Sequence, residues 1–171
     1  MKMTSAYANK VLRQLNEEKD YYLIKERESM FYTAAVDEEP YVPEYDYAEV
    51  ADIINKIDEK ICKIKHAINL SNSSSEVEVF GKRYTIDVLL VRMAQLNKRK
   101  SVLDKMRTAL PQSRVDDYRF ASSRNVPEYQ YINFDPEVVA RDFDEVSKIL
   151  FEMQMKLDQH NQTTEFDVDI D

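Results

Sequence analysis

The sequence predicts a mainly α-helical protein, an antiparallel up-down four-helix bundle or coiled coil carrying two small β-hairpins and a short C-terminal strand. Three observations lead there. Apolar residues recur at alternating steps of four and three along several long stretches, the spacing of a narrow helical stripe that packs on other helices. One glycine, five prolines and 33% charged residues in a chain of 171 leave little turn chemistry and much solvated helical surface. The few punctuating segments, Asn72-Ser73-Ser74-Ser75, Leu110-Pro111 and Asp135-Pro136, fall between those stretches. A chain of this length makes one core, so residues 1–171 are expected to form a single domain.

The first helix is expected over about 5–30, starting at Thr4 or Ser5, with Val11, Leu15 and Tyr22 on one face and the charges Glu18 and Lys25 at the same spacing. Pro40 and Pro43, set among Asp37, Glu38, Glu39, Tyr41 and Tyr45, end it and form an acidic, aromatic connector, expected to fold over one end of the bundle. Asp46 then supplies an acceptor for the free amides of a second helix over about 47–70, and Glu49 completes a capping box. Val50, Ile54, Ile57, Ile61, Ile64 and Ile68 form its seam, and isoleucine at both kinds of seam position favours assemblies of more than two strands. The lone Cys62 beside Ile61 excludes a disulfide framework and reads as a buried structural thiol in a reducing compartment.

Val77 and Val79 alternate with Glu76 and Glu78 ahead of Gly81, which predicts a hairpin over about 76–85. Thr85 is placed to cap a third helix over about 86–109, in which Leu89, Leu96, Leu103 and Leu110 fall seven apart and Arg92 and Arg99 take the seam positions between them. Tyr118 and Phe120, then Tyr129 and Tyr131, alternate with polar residues around Ser122-Ser123-Arg124-Asn125, a second hairpin within about 115–134. Asp135, Pro136 and Glu137 open a fourth helix over about 136–160, with Val139, Phe143, Val146, Leu150, Met153 and Leu157 as its seam. In the tail, 165–171, Phe166, Val168 and Ile170 alternate with acids, which predicts a strand with one acidic face. Up-down topology would lay it on the open edge of the first hairpin.

A second reading rests on particular residues. Lys65-His66-Ala67-Ile68-Asn69 with Asn72, Thr85-Ile86-Asp87, Gln95-Leu96, Arg99-Lys100, Leu110-Pro111 with Arg114, Glu128-Tyr129, Asn133-Phe134-Asp135, Gln154, Leu157-Asp158, Asn161 and Thr163-Thr164-Glu165-Phe166 together resemble a septicolysin-like family of small bacterial helical proteins. The match spans most of the chain, and the resemblance implies a cytoplasmic, self-associating coiled-coil protein. The sequence departs from the commoner pattern at Gln162, where a tryptophan is usual, and at Ala94, where an acid is.

Function is constrained mainly by exclusion. A net charge of −8 argues against general nucleic-acid binding, and no stretch approaches the ~18 apolar residues of a membrane span. With one glycine there is no phosphate-cradling loop, and no serine, threonine or cysteine stands in a nucleophile motif. His66 and His160 lack metal-ligand spacing and suit the carboxyl ends of their helices. Neither catalytic residue, cofactor nor metal is therefore expected. The sequence reads as a non-enzymatic, homo-oligomeric scaffold or interaction protein. The alternative is a binding module for a small anionic ligand, such as a nucleotide, held by Arg92 and Arg99 with Lys100 and Arg114.

Overall fold

A computed structural model describes residues 1–115 and 128–170. In chain order it comprises strand β1 (Lys2–Thr4), helices α1 (Ser5–Ser29) and α2 (Tyr47–Ser74), the strands β2 (Glu76–Val79) and β3 (Lys82–Thr85), helix α3 (Ile86–Arg107), strands β4 (Gln112–Arg114) and β5 (Tyr129–Tyr131), helix α4 (Pro136–Thr163) and strand β6 (Glu165–Asp167). The protein is thus mainly helical, and the described residues form three strand pairs, β1–β6, β2–β3 and β4–β5. The four helices start and stop close to where the sequence places them. The Asp46 carboxylate accepts from the amides of Ala48 and Glu49 at 2.8 and 3.1 Å, and Asp135 accepts from Glu137 at 2.8 Å.

The chain divides into two compact units. The first comprises residues 1–77, 85–87 and 157–171, the second 78–84 and 88–156. In the first unit α1 packs on α2 around Met3, Ala8, Leu12, Ile57, Ile61, Ile64 and Val168. Val50, Ile57, Ile61 and Ile64 of the α2 seam are buried and Ile54 and Ile68 half-buried, and Ser71 extends the seam by one further step.

The expected face of α1 is present, with Val11, Leu15 and Tyr22 packed against the core, but the charges beside it are Lys19 and Glu26 and not Glu18. Ser5, Ala8, Leu12, Leu15, Lys19, Tyr22 and Glu26 point inward, while Glu18 is exposed. The charges on this stripe are partnered: Lys19 Nζ donates to both Asp58 oxygens at 2.6 and 2.8 Å, and the Tyr45 hydroxyl donates to Glu26 at 3.2 Å. Cys62 is exposed and not buried, because one step past Ile61 turns the side chain about 100° from the seam. The connector meets the end of α1 only at its far end, where Pro43 and Tyr45 are half-buried and Tyr45 bonds Glu26. All residues from 31 to 42 are exposed, Val36 and Tyr41 fully or nearly so.

The tail is a docked strand, but its partner is β1 and not the first hairpin. β6 pairs antiparallel with β1 in the register Lys2–Asp167, Met3–Phe166 and Thr4–Glu165. Met1 and Val168 extend the ladder by exchanging two backbone hydrogen bonds of 2.8 Å. Val168 is buried, Phe166 and Ile170 lie against the core, and Glu165, Asp167 and Asp169 face outward, as the alternation predicts.

The β2–β3 turn has Phe80 at φ 48° and Gly81 at φ 76°. Two left-handed residues make the tight turn that matches strand twist, and this is where the chain spends its one glycine. In the second unit, Arg92 and Arg99 are not on the buried seam of α3. Leu89, Met93, Leu96 and Leu103 are buried and Lys100 half-buried, so the steps run four then three from each leucine, and both arginines face solvent. Leu110, past the helix end, is exposed. The strand pairing with Tyr129–Tyr131 is Gln112–Arg114, earlier than expected. Tyr118 and Phe120 lie outside the described residues.

Candidate functional site

A well-formed concave feature lies in the first unit, where the last turns of α2 face the tail. It is a cleft of about 480 Å³, within the size range of small-molecule sites. Lys63, His66 and Leu70 form one wall because steps of three and four put them on one face of α2. Glu165, Asp167 and Asp169 form the other because alternate residues of an extended chain share a face. Ala67 and Phe166 supply apolar lining, and Ser71, Ser74 and Thr164 supply hydroxyl groups. Three carboxylates against one ammonium make this cleft unsuited to an anion.

His160 sits behind the tail. It is 6% exposed, and it continues the α4 seam by three residues beyond Leu157. Its Nδ1 shares a hydrogen bond of 3.0 Å with the Thr164 hydroxyl, while Nε2 is buried without a hydrogen-bond partner. Burial lowers its pKa from the ordinary histidine value. The seam position explains this residue better than a helix-end charge does. Sequence reasoning could have found it by carrying the 153–157 spacing one step further. His66 is exposed at the cleft, and no cluster of three or more potential metal ligands occurs among the described residues.

The second unit holds the four residues singled out for anion binding, and it does not gather them. Arg92 donates to Gln95 at 3.2 Å on the helix surface. Arg99 lies 4.0 Å from Asp142, with both side chains about half exposed. Such a pair contributes little. Lys100 reaches over the Phe143 ring at 5.3 Å, which Arg107 also covers at 4.1 Å. Asn97, Lys100, Ser101, Asp104 and Phe143 line an open hollow of about 360 Å³. Arg114 stands apart in β4, opposite Tyr129.

No protein-family model and no curated protein matches the chain. A solved structure does. It is a crystal structure of a functionally unknown conserved protein from Corynebacterium diphtheriae, similar at a TM-score of 0.66 with 14% identity over 98% of this chain and 100% of the other. The likeness to the corynebacterial protein supports the helical fold along its whole length. At this identity it speaks to fold and not to a ligand or partner. Among the described residues, no helix is long and apolar enough to cross a membrane.

Proposed function

We infer that the protein is a non-enzymatic, self-associating helical scaffold or interaction protein. The observation that carries this reading is apolar surface left outward on the helices: Phe151 and Met155 on α4, Val91 and Val102 on α3, and Leu23 and Ile24 on α1 are between 41% and 67% exposed. Phe151 and Met155 stand one helical turn apart on α4 and are exposed together, and an exposed apolar patch on a folded chain marks a site of association. Ile53 is not part of this surface, since it packs against the first core. In this reading the four helices complete an up-down bundle within one chain or between copies. The septicolysin-like resemblance supports the same assignment, as does the lone thiol, which suits a cytoplasmic setting. Size exclusion coupled to light scattering at micromolar concentration tests it. A particle heavier than 20.2 kDa is expected, and a monomer at every concentration overturns the reading.

The second reading, an oligomeric module for a small anionic ligand, is favoured by one feature, the half-buried Lys100 in the hollow beside Phe143. A nucleotide or phosphosugar seated there stabilises the native protein by about 2.7 kcal/mol at one hundred times its dissociation constant. Thermal shifts of native and Lys100→Met protein measure this. No shift with any anion removes the module reading.

A further inference from the structure

Charge is divided unequally along the chain. The first unit carries 10 basic and 21 acidic residues, net −11, and the second 14 and 11, net +3, which together give the −8 of the whole. Within each unit the imbalance is concentrated. From Glu28 to Asn55 there are eight acids and no lysine or arginine, and the middle of that stretch is the exposed connector with Val36, Asp37, Glu38, Glu39, Tyr41 and Val42. On α3, Val91, Gln95, Lys98, Val102 and Lys105 follow steps of four and three on the side opposite the buried seam, and all five are exposed. No carboxylate among the described residues pairs with Lys98 or Lys105. The nearby acid of α3, Asp104, is held by Arg107 at 2.7 Å.

A ridge of two valines and two unpaired lysines and a connector of aliphatic and aromatic side chains among unpaired acids are complementary in charge and alike in apolar content. Both are uncovered in the single chain. We propose that the acidic connector of one copy docks on the outward Val91–Lys105 ridge of α3 in another copy. This rests on the self-association reading and names its interface. The contact joins two different patches, so it is heterologous, and copies add head to tail until they close a ring or extend a filament. Pro40 and Pro43 reduce the freedom that the connector loses on docking. The interaction is steered by exposed charges and is therefore screened by salt.

Charge reversal tests the pairing, with folding of each variant checked by circular dichroism. One variant, D37K/E38K/E39K, makes the connector basic, and the other, K98E/K105E, makes the ridge acidic. Light scattering and sedimentation follow the native chain, each variant alone and an equimolar mixture of the two. We expect the native dissociation constant to rise at least about tenfold between roughly 50 and 500 mM salt. Each variant alone is expected to lose association to a similar degree, and the mixture to regain it, because each reversed patch then meets an opposite one. Tyr41→Ser is expected to weaken association without changing its salt dependence. Native-like association of both variants, or a mixture that stays dissociated, overturns the proposal while leaving the scaffold reading intact. A native chain that is monomeric throughout overturns both.

Discussion

Lys19, Glu26 and His160 all stand at seam positions where a stripe of apolar side chains turns inward, and each meets the cost of partial burial differently. Lys19 reaches Asp58 with two hydrogen bonds, and Glu26 accepts from Tyr45. Together burial and the Glu26 carboxylate raise the pKa of the Tyr45 hydroxyl. His160 has one partner for two ring nitrogens, so its neutral form is the one the fold accommodates. Its contribution follows with a definite sign. Above the ordinary value of about 6.5 both folded and unfolded chains hold it neutral, and below that value the unfolded chain takes up a proton that the folded chain resists. Stability therefore falls as pH drops below about 6.5. Urea midpoints measured at about pH 7.5 and 5.5 are expected to fall further for the native chain than for His160→Met, and equal losses would assign the acid sensitivity elsewhere.

At the scale of elements, the β1–β6 ladder closes the first unit's core with three register pairs and the Met1–Val168 rung beyond them. What it contributes is apolar contact more than hydrogen bonds, since Met3 and Val168 are each 2% exposed. Val168→Ala removes two buried methyl groups, and a loss of about 1 to 2.5 kcal/mol is expected in denaturant titration. Deleting residues 165–170 is expected to lower the melting temperature further. An unchanged melting temperature on deletion would show that the ladder is incidental. The helices themselves were legible in the sequence because caps and spacing agree, as at Asp46 with the α2 isoleucines and at Asp135 with the α4 seam. The phase of α3 was not. Leucines seven apart fit a second seam position three or four residues later, and Arg92 and Met93 compete for it. Solvation decides, since methionine loses nothing by burial and an unpaired guanidinium loses much. β1 was illegible for another reason. Three residues show no period, and its partner lies 163 positions away at Phe166.

For the whole molecule, both boundaries between the two units that fall in α3 and α4 lie inside continuous helix, at Asp87–Val88 and Lys156–Leu157. A helix broken at such a point loses the hydrogen bonds that span it, so the units are expected to unfold together. Calorimetry should give one transition. Ile64→Ala in the first unit and Leu103→Ala in the second, each at a fully buried site, should lower that same transition by about 2 to 5 kcal/mol apiece. Two resolved peaks in either variant would show independent units instead. The division itself could not be read from length or composition, because both units are assembled from distant stretches. Nor could the cleft, whose walls are α2 and the tail, about a hundred residues apart in the chain.

The β1–β6 ladder also determines how the molecule answers a pull. Met1 and Val168 face each other at the same end of two antiparallel strands. A load applied through Met1 and Ile170 falls first on that one pair of hydrogen bonds and passes to the next only when it parts. The ladder opens as a zipper, one rung at a time, where strands loaded from opposite ends would resist in shear with every rung at once. Tension thus frees the tail at low force while leaving the helices wound, and draws Val168 out of the core before any helical turn is lost.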